Sequence, residues 1–191
     1  MIFDALHYFE TLARQNRLCV ENGFRPAFCS GPDSIEGIMQ EFQKTANFVC
    51  IDDTTDQNLY SEGVSYFKRR VYTVFILAAY RWDDMEDREE KLNLCREIFA
   101  QFVRRMIWDR TRRENTDDDI TFLNVERIYS KEFGRYTMNG VTGLYFMVEN
   151  DEPASMDYED EKDLESEWVT ETATETETAA EPAGETQEEG D

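Results

Sequence analysis

The sequence predicts an α+β fold: an antiparallel sheet of about four strands, an N-terminal helix and one long helix packed on it, and a disordered acidic C-terminal tail. Three observations carry this. The uncharged run Val71–Tyr80 is rich in β-branched and aromatic residues, the types that suit a pleated surface. Residues 84–109 repeat their apolar side chains at helical spacing. From Asp151 onward the composition shifts to Thr, Glu and Ala.

Along the chain, Ile2, Leu6, Phe9, Leu12 and Ala13 recur at helical spacing and predict an amphipathic helix over residues 2–16. "ENGFRPAF" reads as turn and extended chain, punctuated by Gly23 and Pro26. "GPDSIEGIMQEFQK" predicts a shorter helix begun by Asp33 or Ser34, with Ile35, Ile38, Met39 and Phe42 on one face. "NFVCID" is a short apolar strand, and "DTTDQNLYSEG" is a polar loop.

Residues 64–80 then predict one long strand, bent or bulged near "YFKRR" because strands average only about 5–6 residues. Both faces of Val71–Tyr80 are apolar, as in a central strand covered on two sides. The run is half the ~20 residues that a membrane helix needs, and "MIFDALHYFETLARQ" has no basic start or small-residue cleavage site. Neither a membrane span nor an export signal is expected.

Asp83 or Asp84 caps the next helix, and Glu86, Asp87, Glu89 and Glu90 crowd its first turns, where the macrodipole favours anions. Leu92, Cys95, Phe99, Phe102, Val103 and Met106 form its apolar stripe, and arginines gather at its far end. "DRTRRENTDDD" reads as a charged loop. "ITFLNVERIYSKEF" and "NGVTGLYFMVEN" close the body as two strands of a hairpin. Helices on one face of an antiparallel sheet make an α+β layer fold.

Charge divides the chain at the same place. The 151–191 segment holds 17 acidic residues and one basic, Lys162, against 25 and 19 in residues 1–150. A segment so poor in apolar residues cannot offset its ordering entropy. The division is therefore a 1–150 α+β body and a 151–191 acidic tail, and a chain ending at Asn150 should melt close to the full chain. Met156, Tyr158, Leu164, Trp168 and Val169 are the tail's candidate anchors on a basic partner.

No chemistry with a signature emerges. Cys19, Cys29, Cys50 and Cys95 lack CxxC spacing and read as buried thiols in a reducing compartment. His7 is the only histidine, so no metal site is expected. Asp52–Asp53 ends a strand, where metal-dependent enzymes often keep acids, but no acid–base partner accompanies it. Pro32–Asp33 lacks the strand-borne Glu-x-Lys of a metal nuclease. Gly31 and Gly37 are not spaced for a phosphate loop, and "DTTDQNLYSEG" lacks the sixth-position Gly of a calcium hand. The expectation is a protein that is not an enzyme, with no catalytic residue and no cofactor.

Binding residues are better represented. Lys68, Arg69 and Arg70 form one basic cluster, and Arg104, Arg105, Arg110, Arg112 and Arg113 form another. Glu86 and Glu89 mark the acidic start of the same long helix. On a net acidic body these arginines suit an acidic protein surface or the chain's own tail. They do not suit sequence-specific nucleic acid, which wants a net basic face.

The element order carried by "FKRRVYTVFILAAYRW", "EDREEKLNLCREIFAQFVRRM" and "NGVTGLYFMVEN" resembles the tail terminator or tail-completion proteins of long-tailed bacteriophages. The resemblance covers residues 1–150 and is one of topology and size. It implies a virion structural protein, made in the host cytoplasm, that forms a ring, commonly a hexamer, at the head–tail junction. Such a ring caps the tail tube and joins it to the neck or connector. The acidic extension falls outside that pattern. The reading from a different class is a cytoplasmic adaptor or inhibitor that uses its acidic tail to bind a basic partner, as a DNA mimic.

Overall fold

The computed structural model describes residues 3–31, 47–113, 119–134 and 140–156. The chain divides into a unit over Met1–Ser155 and another over Met156–Asp191. Of the expected tail anchors Met156 is exposed, and Tyr158, Leu164, Trp168 and Val169 lie outside the described residues, as does the helix expected within 32–46.

Helix α1 spans Ala5–Gln15, with the Asp4 side chain accepting the His7 N–H at its start. Its buried face is Ala5, Phe9, Leu12 and Ala13, a single stripe at i, i+4, i+7 and i+8. Asn16 closes α1 and opens a short helix, α2 (Arg17–Glu21), by accepting the Cys19 N–H. The strands are β1 (Phe24–Cys29), β2 (Asn47–Asp52), β3 (Asp56–Glu62), β4 (Ser65–Ala79), β5 (Leu123–Glu132) and β6 (Val141–Ala154). Helix α3 (Met85–Arg113) joins β4 to a 3-10 turn at Asp119–Phe122 that leads into β5.

The sheet runs β1-β2-β4-β6-β5, with β3 paired to the N-terminal half of β4. It is mixed and six-stranded, which corrects the expected antiparallel sheet of about four strands. Two causes account for the difference. "FRPAFC" forms β1, parallel to β2; its Pro26 is tolerated because β1 is an edge strand. "DQNLYSE" forms β3 although little of it is buried. Its backbone ladder with Ser65–Val71 holds it, through a hairpin that turns on Gly63 at φ 67°.

β4 is central, as expected, and its 15 residues run without the anticipated bulge: the register to β6 is unbroken from Tyr66 to Ala79. The irregularity lies in β5, between Asn124 and Tyr129. Both faces of the C-terminal half of β4 are buried. Tyr72, Val74, Ile76 and Ala78 join Phe9, Cys95, Phe102, Met106 and Phe146 beneath α1 and α3. Phe75 and Leu77 join Cys29, Phe48, Cys50 and Val141 on the opposite face. The long helix continues to Arg113, five residues into the stretch expected to be a loop. β6 likewise continues to Ala154, four residues beyond the compositional boundary.

Candidate functional site

Two surfaces stand out, one on the helices and one on the sheet. The first is a groove of about 420 Å³ where the α1–α2 corner meets the C-terminal half of α3. Leu12, Phe102 and Trp108 supply its apolar lining, and Arg17, Arg104 and Arg105 its basic one. Asn16 Nδ2 donates to Gln101 Oε1 at 2.9 Å and ties the corner to α3. Gln101, Arg104, Arg105 and Trp108 follow at i, i+3, i+4 and i+7, a second stripe beside the apolar one. Trp108 is 55% exposed, and the Arg112 guanidinium lies over its ring, 4.3 Å from the centroid.

Each arginine of the groove has an intrachain carboxylate. Arg17 Nε bonds Glu21 at 2.7 Å, Arg104 Nη2 bonds Glu97 at 2.8 Å, and Arg105 Nε bonds both oxygens of Asp109 at 2.9 and 2.8 Å. Tyr8 donates its hydroxyl to the same Asp109 at 3.1 Å, which anchors α1 to α3. Gln101 and Arg104 together hold the Glu97 carboxyl below the usual glutamate range.

The second surface is an arm: β3, the first half of β4 and the end of β6. Leu59, Val64 and Tyr66 are exposed on it, Val64 at the hairpin tip being 95% accessible. Tyr60 stacks on Phe67 at 5.6 Å, and Arg69 lies over Tyr60 at 4.9 Å. Among the described residues β3 is paired on one side only. The sheet's other edges are blunted, β1 by Pro26 and β5 by its irregular register. β3 carries no Pro, Lys or bulge. Where the arm leaves the helices, Arg70 Nε, Tyr72 Oη and Asn150 Oδ1 are buried without a hydrogen-bond partner among the described residues.

The residues expected to make an interface are dispersed. Lys68, Arg69 and Arg70 are on the arm, with alternate residues on opposite faces of β4. Arg69 pairs with Asp151, and Arg70 lies 4.0 Å from Glu152, so β6 supplies carboxylates to two of the three cations of what reads as a free basic cluster. Glu86 is exposed at the start of α3. Glu89 and Glu132 share Arg96, which holds Glu132 below its usual range. Arg110 approaches Glu126 at 3.8 Å, and α3 ends at Arg113. Only Arg104 and Arg105 line the groove, with Arg112 against its tryptophan. Sequence reasoning passed over Arg17, Gln101 and Trp108. The signal for the last two was the 101, 104, 105, 108 spacing and a Trp set off the core stripe.

The acidic strand end is structural. Asp52 Oδ1 accepts the Gly31 N–H, the Thr54 N–H and the Thr54 hydroxyl, and Asp53 accepts the Ser30 hydroxyl. Among the described residues no three His, Cys, Asp or Glu side chains are grouped to hold a metal ion. The four cysteines are free and buried, and burial pushes each thiol up to about 12. No helix among the described residues is long and apolar enough to cross a membrane. No protein-family model, curated protein or solved structure matches the chain.

Proposed function

We propose that the chain is a virion structural subunit at a bacteriophage head–tail junction, of tail-terminator or tail-completion type, in a ring that joins the tail tube to the neck. The observation that carries this reading is the pair of unlike surfaces on one small body. A ring requires head-to-tail contacts between different patches, whereas a self-complementary patch stops at a dimer. Among the described residues the arm offers an unpaired strand edge with exposed Leu59, Val64 and Tyr66. The opposite kind of surface, helical, cationic and centred on Trp108, lies on α3.

Charge supports the same reading. A body with 25 acidic and 19 basic residues, extended by an acidic segment, can surround a DNA path without adhering to it, because like charge suppresses phosphate contacts. The deciding experiment is a density map of purified phage particles that carry this protein. The expected result is a ring of copies between the tail tube and the neck. Absence from particles, together with co-purification with a host enzyme, overturns the reading in favour of the adaptor or inhibitor class.

A further inference from the structure

We infer that the α1–α3 groove is a docking site for a carboxylate-rich linear segment of a partner protein that inserts one aromatic or aliphatic side chain. The inference goes beyond the ring reading and holds for any assembly that the chain joins.

The lining dictates the ligand chemistry. Trp108 presents the exposed apolar surface of a groove of about 420 Å³ whose floor is closed by the buried Leu12 and Phe102, within the range of about 300–1,000 Å³ that ligand sites occupy. Trp and Arg are the residues most enriched where interfaces concentrate their binding energy. Around the groove Arg17, Arg104, Arg105 and Arg112 stand against Glu21, Glu97 and Asp109, a small positive excess in a protein of net charge −22.

The arginines retain capacity for a ligand. In their bonds to Glu21, Glu97 and Asp109, Arg17, Arg104 and Arg105 each use one nitrogen. A guanidinium has three nitrogens and takes carboxylates in a fork. The pairs at Arg17 and Arg104 are solvent-exposed, with 87% and 64% of those side chains accessible. Exposed pairs contribute little, so an incoming carboxylate replaces or shares them at small cost. The site is also arranged in advance. Asn16–Gln101 fixes its width, Arg112 covers one face of Trp108, and Tyr8–Asp109–Arg105 fixes the third arginine.

A polyphosphate backbone fits less well, because the cationic surface is short and the acidic body around it repels a long polyanion. A compact acidic segment with an apolar anchor uses the arginines and the tryptophan together.

The test uses the full chain and the fluorescein-labelled peptide Asp-Glu-Asp-Leu-Glu-Asp-Trp-Glu, followed by fluorescence anisotropy at low salt. Saturable binding is expected. It should weaken at least about tenfold, the loss of a single interface hot spot, in Trp108→Ala and in the double variant Arg17→Glu/Arg104→Glu. Arg127→Glu, an equal charge change per residue on exposed β5, should change affinity by less than about twofold, as a distant rim charge does. A peptide with Trp replaced by Ser should also bind more weakly. All altered side chains are at the surface, and thermal melts confirm that each variant is folded. No binding, binding indifferent to Trp108 and Arg104, or stronger binding of oligo(dT) than of the peptide overturns the inference.

Discussion

Arg69 on β4 donates two hydrogen bonds to Asp151, its direct cross-strand partner on β6: Nε to Oδ1 at 2.6 Å and Nη2 to Oδ2 at 3.0 Å. Glu149 adds a third carboxylate oxygen at 3.5 Å, and Tyr60 lies beneath the guanidinium. The first residue of the acidic segment is thus a structural partner of the arm. A chain ending at Asn150 loses it, along with the ladder partners of Tyr66–Arg69. Partly buried forks of this kind contribute about 1–2 kcal/mol. Asp151→Ala should therefore lower Tm by about 2–4 °C per kcal/mol. Truncation after Asn150 should lower it further, and truncation after Ser155 should leave it nearly unchanged. Equal melting of the two truncated chains would mean that the end of β6 adds nothing.

Phe102 and Phe99 lie on the same stripe but are not equivalent. Phe102 is essentially inaccessible, whereas Phe99 is partly buried and packs at 5.2 Å on the Phe146 ring. Phe102→Ala should cost about 3–5 kcal/mol, and Phe99→Ala clearly less. Urea unfolding monitored by circular dichroism gives both values. A reversed order would place Phe102 at the margin of the core.

Gly143 faces Leu77 across the central ladder at φ 150°, and a Cβ there would stand 2.0 Å from the Ile76 carbonyl oxygen. Only backbone lies in the way, so relief requires β4 and β6 to separate. Gly143→Ala should cost about 3 kcal/mol or more from strain and overpacking combined. The same substitution at Gly63, where a Cβ meets nothing within 4 Å, should cost only about 1 kcal/mol for its positive φ. The two values come from the same urea experiment, and a Gly143→Ala protein as stable as the parent contradicts the close approach.

Legibility in the sequence followed the source of each element's stability. Val71–Tyr80 was readable as a central strand because both of its faces are apolar and both are buried. α3 was readable because Leu92, Cys95, Phe102 and Met106 sit one above another in the core. β3 was not, because its residues are mostly exposed and its order comes from hydrogen bonds to β4. β1 was obscured by Pro26, a residue that an edge strand accepts. The basic cluster at Lys68–Arg70 was visible as charge but not as ion pairs, since its acids lie some eighty residues away on β6. The groove combines residues of α1, α2 and α3, and only its α3 stripe had a spacing to find.

Acid should unfold the protein partly through Glu132. Hydrogen bonding to Arg96 holds its folded-state carboxyl below 4.5, against desolvation that acts the other way. A depressed carboxylate stabilises the fold above its unfolded value, and that contribution fades as pH falls through the folded one. Glu132→Gln should therefore show a shallower loss of stability below about pH 4.5 and little difference at pH 2. The pair is largely exposed, so the effect is a fraction of the full linkage and shrinks with salt. Urea midpoints from pH 6 to pH 2 read it out. Parallel curves for the two proteins would remove Arg96–Glu132 from the acid response.

The arm gives the most direct test of assembly. Among the described residues β3 has an unpaired edge, but two β3 strands should not pair with each other. In an antiparallel arrangement centred on Leu59, Asp56 of each copy falls opposite Glu62 of the other. Like charges directly opposite are destabilising. The edge is thus biased against a two-fold dimer and toward a different surface, as a ring requires. Leu59→Asp and Val64→Asp alter side chains that are exposed in the body, so the monomer should keep its melting temperature. On the proposed reading the same substitutions should abolish incorporation into particles, scored by complementation of a phage lacking the gene. Normal incorporation would exclude the arm from the interface, and loss of folding would show that Leu59 and Val64 support the body itself.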